Sequence, residues 1–187
     1  MSTTTLPRRR KLDVEAYHRM AEVGIFAPDE RVELIDGEIV EMVPIASEHA
    51  SVTSSLVQRF VLALGDAAFV TGSMPLRLDP MNEPEPDVLI LRPRADRYRA
   101  ELPGPRDVLL VVEVAKSSLD YDRSVKAPLY AAAGVPEFWL VDLVHARVEV
   151  HRAPAEGAYG RVERAAAGEI APVGLPAATV DVAALFA

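Results

Sequence analysis

The 187-residue chain contains no cysteine, so disulfides and thiolate metal sites are excluded outright. It also lacks any apolar run of about 18 residues, the length a helix needs to span a bilayer. Its basic start, Met-Ser-Thr-Thr-Thr-Leu-Pro-Arg-Arg-Arg-Lys, is not followed by the apolar segment of a secretory signal. The expectation is a cytoplasmic protein with no membrane contact. Lysine is scarce: only Lys11, Lys116 and Lys126 among 20 basic residues. A net charge of −8 argues against a protein that coats nucleic acid, because phosphate contacts need clustered Lys and Arg. It does not exclude an enzyme that cuts nucleic acid. There is no Gly-rich phosphate loop of the Walker type, no nucleophile elbow, no His-Glu-x-x-His and nothing that marks a triad.

What is present is ordinary for a globular protein: 50% hydrophobic and 26% charged residues. The length suits one domain with a sizeable core, residues 1–187, with 1–11 as a flexible tail. Basic residues concentrate at Arg8, Arg9, Arg10 and Lys11, and again at Arg92, Arg94, Arg97 and Arg99. A solvated tail and a solvated loop account for both.

The pattern predicts a helix over 12–24 stopped by Gly24, then a hairpin over 31–43 turning at Asp36-Gly37. Ser47 is placed to cap a helix over 48–64, whose apolar residues Val52, Leu56, Phe60 and Leu64 recur at helical spacing. Strands are predicted over 69–72, 75–78, 87–91, 107–115, 137–143 and 147–152. A helix over 122–133 ends at Gly134, but Pro128 fits only its first turn, which moves the start toward Ser124. Residues 154–168 read as a loop, and 175–187 fit strand or helix. This order defines an α/β (α+β mixed) domain: a central mixed sheet flanked by helices, preceded by a helix and a β-hairpin.

Two acids interrupt apolar runs: Asp87 in Glu85-Pro86-Asp87-Val88-Leu89-Ile90-Leu91, and Glu113 in Val111-Val112-Glu113-Val114-Ala115. Burying an unpaired carboxylate costs several kcal/mol or more, so each needs a partner. A shared divalent cation is one solution; pairing with an arginine is the other. On neighbouring strands the two backbones lie about 4.8 Å apart, within reach of one ion. Magnesium takes oxygen ligands and keeps several waters. Two carboxylates and a main-chain carbonyl leave positions for a water and a phosphate oxygen, and the ion acidifies that water and polarises the phosphorus centre.

Lys126, on the helix after the Glu113 strand, can stabilise charge on phosphate or form a surface pair with Asp122. Lys116 points away from Glu113, because strand side chains alternate. His49 falls near the inward face of its helix and Glu33 lies in the first arm of the hairpin. Each is an accessory ligand or a satisfied polar residue.

Several segments together resemble the Uma-type restriction endonuclease family. They are Glu33-Leu34-Ile35-Asp36-Gly37-Glu38, His49, Glu85-Pro86-Asp87-Val88, Val112-Glu113-Val114-Ala115-Lys116-Ser117-Ser118, Tyr121-Asp122-Arg123 with Lys126 and Tyr130, and Gly134-Val135-Pro136-Glu137-Phe138-Trp139-Leu140-Val141-Asp142. The resemblance runs from about Tyr17 to about Val150. It implies the PD-(D/E)XK nuclease superfamily and a restriction-endonuclease-like fold with the acidic pair on adjacent strands. It also implies Asp87 and Glu113 as metal ligands and catalytic residues, with the Val114 main-chain carbonyl as a third ligand. The superfamily lysine would fall at Ala115, and its role passes to Lys126. The activity implied is a Mg²⁺-dependent endonuclease acting on DNA, with Mn²⁺ as substitute. A homodimer suits an enzyme that cuts duplex DNA, each subunit meeting one strand; Trp139, the aliphatic residues around it and the apolar C-terminus are candidates for its surface, but the sequence defines no interface. The competing readings are a catalytically inactive module of the same fold that binds nucleic acid or a protein partner, and a metal hydrolase acting on small phosphate esters.

Overall fold

A computed structural model describes residues 10–187. Most of the expected tail, including Arg8 and Arg9, lies outside the described residues. Lys11 is ion-paired with Asp36. The chain begins with α1 (Val14–Glu22), capped by the Asp13 side chain, which accepts from the Ala16 N–H. A hairpin follows, β1 (Val32–Ile35) and β2 (Glu38–Glu41), turned at Asp36-Gly37 with both residues at positive φ. Gly37 is required there: a Cβ would meet the Lys11 side chain at 2.7 Å.

Helix α2 (Ser47–Leu64) packs on one face of a six-stranded sheet. Ser47 is its first helical residue rather than its cap, and Ala46 in the cap position makes no side-chain bond. The sheet runs β3 (Phe69–Gly72), β4 (Val88–Leu91), β5 (Val108–Ala115), β6 (Glu137–Asp142), β7 (Arg147–Ala155), β8 (Ala158–Ala165), in that spatial order. Only β5 and β6 are parallel. Their crossover is the helical run α3 (Leu119–Tyr121), a π-helical turn (Asp122–Lys126) and α4 (Ala127–Ala132). It covers the face opposite α2, where Ala127 and Tyr130 pack on Val111, Phe138 and Leu140. The C-terminal segment, with β9 (Glu169–Ile170) paired to β10 (Val180–Asp181), packs Val180 and Val182 against the α2 side.

Four departures from expectation have physical causes. Residues 75–78 form no strand. Leu76 N–H and Leu78 N–H donate to the Pro84 and Asn82 carbonyls, but Pro84 and Pro86 have no N–H to return, so no ladder forms. Residues 154–168 are not a loop. The Glu156-Gly157 turn, with φ of +50° and +77°, joins β7 to β8 as a hairpin whose Ala- and Gly-rich sequence hides the alternation. The crossover helix starts at Leu119, before Ser124, because the π turn widens the spiral just ahead of Pro128. Trp139 is fully buried, edge-on to Phe60, with its indole N–H donated to Glu137. It belongs to the core and contributes to no intersubunit surface.

Among the described residues no helix is long and apolar enough to cross a membrane. The arginines after β4 are consistent with a solvated loop: Arg94 pairs with Asp96 and lies 4.1 Å over the Tyr98 ring.

Candidate functional site

Asp87 stands just ahead of β4, whose pairing with β5 stops at Val88 opposite Val112. Its carboxylate takes over where the backbone ladder ends: Asp87 Oδ2 accepts the Val114 N–H at 2.8 Å. The N–H and C=O of a strand residue share an edge, so the Val114 carbonyl turns toward the same gap. Continuing the register would set Pro86 opposite Val114, and proline has no N–H to give that carbonyl. His49, in the first turn of α2, places Nε2 3.1 Å from the same Oδ2. That hydrogen bond, set against partial burial, raises the His49 pKa.

Glu113 points to the opposite face of β5 from Val112 and Val114. Its Oε1 accepts from Tyr130 O–H at 2.7 Å and from Lys126 Nζ at 3.1 Å. Lys126 also reaches Glu33 Oε2 on β1 at 3.0 Å. Glu33 in turn accepts the Glu85 N–H at 3.2 Å. The expected surface pair with Asp122 does not form. Lys126 is only 5% exposed, and its contacts within 4 Å go to Glu33 and Glu113. Among the described residues no hydrogen bond reaches Asp87 Oδ1 or Glu113 Oε2.

These groups line one cleft of about 350 Å³ between the β2–α2 connection, the end of β5 and the π turn. Every residue singled out from the sequence is on its wall: Glu33, His49, Asp87, Glu113, Val114 and Lys126. Lys116 lies at the exposed rim with its ammonium on Glu48 at 2.6 Å, so it points away from Glu113 as alternation requires. Asp122 and Tyr121 also line the cleft, and Tyr130 stands behind Glu113. All three stand in the segments that carry the family resemblance, but the sequence pattern marked none of them as a site residue and offered Asp122 only as a surface partner for Lys126. Asp122 and Tyr130 each lie four positions from Lys126, one before and one after, and that spacing was the available signal.

The cleft is short of positive charge. Five carboxylates (Glu33, Glu41, Asp87, Glu113 and Asp122) face Arg31, Lys116 and Lys126. Burial pushes the Glu113 carboxyl well above the usual range, opposed by Lys126 and reinforced by Asp87, Asp122 and Glu33. Burial likewise raises the Asp122 carboxyl. For Lys126 burial works against the charged form, but Glu113, Glu33 and Asp122 outweigh it and raise its pKa. The two partners thus pull apart, Glu113 toward neutrality and Lys126 toward the cation. The ammonium is the firmer of the two, because it faces three carboxylates while Glu113 has a single cation against three anions.

This donor set fits a hard divalent ion. It offers two uncommitted carboxylate oxygens and a main-chain carbonyl on one side of a cleft already rich in negative charge. No three His, Cys, Asp or Glu side chains among the described residues gather closely enough to hold a metal alone, so the carbonyl and solvent would have to complete the shell.

A mixed sheet between helices, with two acids at the adjoining ends of β4 and β5, defines a fold of the nuclease kind. Consistent with it, the structure matches a crystal structure described as "a putative nuclease belonging to DUF820 from Anabaena variabilis ATCC 29413", with a TM-score of 0.72, 14% sequence identity, and coverage of 94% of this chain and 97% of that one. No curated protein matches the chain. The model of the Uma2 family, described as "Putative restriction endonuclease", matches residues 14–183, and the chain belongs to that family.

Proposed function

We propose that the protein is an endonuclease that hydrolyses DNA phosphodiester bonds with a divalent cation, Mg²⁺ or Mn²⁺. One observation carries the reading: Asp87, Glu113 and the Val114 main chain converge on one anion-rich cleft, and Lys126 reaches the same cleft from the next helical segment. Family membership supports nucleic acid as the substrate class. Asp87 Oδ1, Glu113 Oε2 and the Val114 carbonyl would hold the cation. When bound, it contributes Lewis acidity at phosphate and an acidified water.

The chain's own residues do the rest. Lys126 remains an ammonium and offers charge and N–H donors to a phosphate oxygen or to the oxygen that attacks it. Glu33 and Tyr130 fix the Lys126–Glu113 pair from behind, so the ammonium keeps one position. His49 occupies Asp87 Oδ2 and leaves Oδ1 facing the cleft. The matching assembly is a homodimer in which each copy meets one strand of a duplex; sedimentation with and without duplex DNA tests it.

The decisive experiment is plasmid cleavage in Mg²⁺ or Mn²⁺. The wild type is expected to cut in a chelator-sensitive way. Asp87→Asn and Glu113→Gln are expected to lower the rate on the order of 10³-fold, about 4 kcal/mol in barrier, with the fold retained. Undiminished cleavage by both removes the proposal.

One observation favours a second reading, an inactive module of the same fold. Glu113 Oε1 is already held by Lys126 and Tyr130, and alanine stands at 115. Calorimetric titration separates the two: an inert module gives no heat with Mg²⁺ or Mn²⁺ and gains no thermal protection.

A further inference from the structure

Glu113 shares its rung of the sheet with a second charged group. Register sets Glu113 beside Leu140, Leu140 beside Glu149, and Glu149 beside Arg164, so these side chains line one face across β5, β6, β7 and β8. The π turn crosses this rung and is tied to it twice. Lys126 bonds Glu113 at 3.1 Å, and Arg123 bonds Glu149 through Nε at 3.3 Å and a terminal nitrogen at 3.2 Å. One step toward the sheet end where the cleft opens, Ala115 lies beside Asp142 and Asp142 beside Arg147.

Glu149 and Asp142 have no solvent exposure. Around them stand the guanidiniums of Arg123, Arg147 and Arg164. Arg147 reaches Asp142 at 3.1 Å and Glu149 at 3.4 Å, and Arg164 Nε reaches Glu149 at 2.9 Å. His145 adds an imidazole nitrogen 2.8 Å from Asp142. On the solvent side Asp120 takes one terminal nitrogen of Arg123 at 3.2 Å.

The arginines are therefore aimed, because their acceptors are buried and fixed, yet the side chains of Arg147 and Arg164 stay 30% and 54% exposed. Among the described residues the terminal nitrogens of Arg164 donate to nothing. From Glu113 to Arg164 is three strand spacings, about 14 Å. That edge lies beyond the cleft, a few nucleotides along a strand bound there.

We infer that the Arg147–Arg164 edge is a backbone grip: it holds phosphates of the DNA strand a few nucleotides from the one lying at Asp87 and Glu113. The inference rests on the endonuclease reading and adds where, outside the cleft, the substrate is held. The ligand is the sugar–phosphate backbone without regard to base identity, since guanidinium contacts to phosphate position a duplex and carry no sequence information.

The test is binding of a labelled duplex of about 20 base pairs, with Ca²⁺ in place of Mg²⁺ to prevent turnover, between 50 and 200 mM salt. Arg164→Gln is expected to weaken binding and lower the slope of log K against log salt by about one. Arg164→Lys should restore the slope, because it returns the charge. Arg99→Gln, in the loop at the other end of β4, should leave both unchanged. Cleavage of a dinucleotide too short to reach the edge should be the same in wild type and Arg164→Gln. An unaltered salt slope in Arg164→Gln, beside a wild type that binds, overturns the grip and leaves the nuclease reading intact. A wild type that binds no DNA overturns both.

Discussion

Glu113 and Glu149 sit on the same rung of the sheet, two strands apart, and the same π turn reaches both. Their electrostatic fates are opposite. Glu113 has one ammonium against several neighbouring acids, and burial drives its carboxyl toward the neutral form. Glu149 is equally hidden, and burial alone would raise it too, but bonds from Arg123 and Arg164 prevail and its pKa falls. Asp142 follows Glu149: the bonds from His145 outweigh its burial and lower it. All three carboxyls are closed to solvent, but Glu113 is the most deeply packed, so deeper burial and a poorer local supply of bases together separate a site ready to take a cation from a finished ion-pair network.

The largest expected effect breaks this comparison directly. Glu149→Ala removes the acceptor shared by Arg123, Arg147 and Arg164, of which only the first two keep another carboxylate, and should cost about 3 kcal/mol in urea unfolding. Glu113→Gln, in metal-free protein, should cost less, because burial and neighbouring acids push the native carboxyl toward neutral and Glu33 still pairs Lys126. The reverse order would sink the contrast. Next in size, Mn²⁺ at 100 times its Kd should stabilise the wild type by about 2.7 kcal/mol and Glu113→Gln scarcely at all. Equal protection of both, read by thermal unfolding, would place the ion elsewhere.

The pH dependence sharpens the contrast through its sign. Glu113 has a folded pKa above its ordinary 4.5, so above pH 4.5 the native state holds more protons than the unfolded one. Metal-free stability should fall as pH rises from 4.5 through the raised value, and Glu113→Gln should flatten that limb. Asp142 and Glu149 have folded pKa values below 3.8 and 4.5, so their contribution is full above those values and disappears as pH falls through the folded ones. Glu149→Gln should flatten the acid limb instead. Both limbs are read from unfolding midpoints across pH. The smallest effect is expected from Tyr130→Phe. It deletes one hydrogen bond to Glu113 Oε1, costs about 1–2 kcal/mol, and should weaken Mn²⁺ binding measured by calorimetry as Glu113 loses its fixed orientation.

Much of this was legible in the chain. Asp87 and Glu113 stood out because each broke an apolar run, and their convergence follows from the antiparallel neighbours β4 and β5. Lys126 stood out through the scarcity of lysine, and Glu33 and His49 through their places on the hairpin and on an amphipathic helix. The network around Glu149 and Asp142 was not legible. Its members come from β6, β7, β8 and the π turn, and only the sheet register unites them. The β8 strand was hidden for a related reason: Ala158 to Ala165 carries little apolar alternation, since that edge strand is mostly exposed and held by pairing with β7. The burial of Trp139 was equally out of reach, because a lone tryptophan suits a core and an interface alike.

The Val114 amide is bonded by a side chain where a neighbouring strand would ordinarily bond it. That proton is a built-in gauge. Anything that draws Asp87 forward loosens its grip on the amide, and anything that settles Asp87 in place tightens it. Deuterium uptake at this one backbone position should therefore register occupancy of the cleft in a protein that has cut nothing, and should do so at the end of β5 before any change spreads through the sheet.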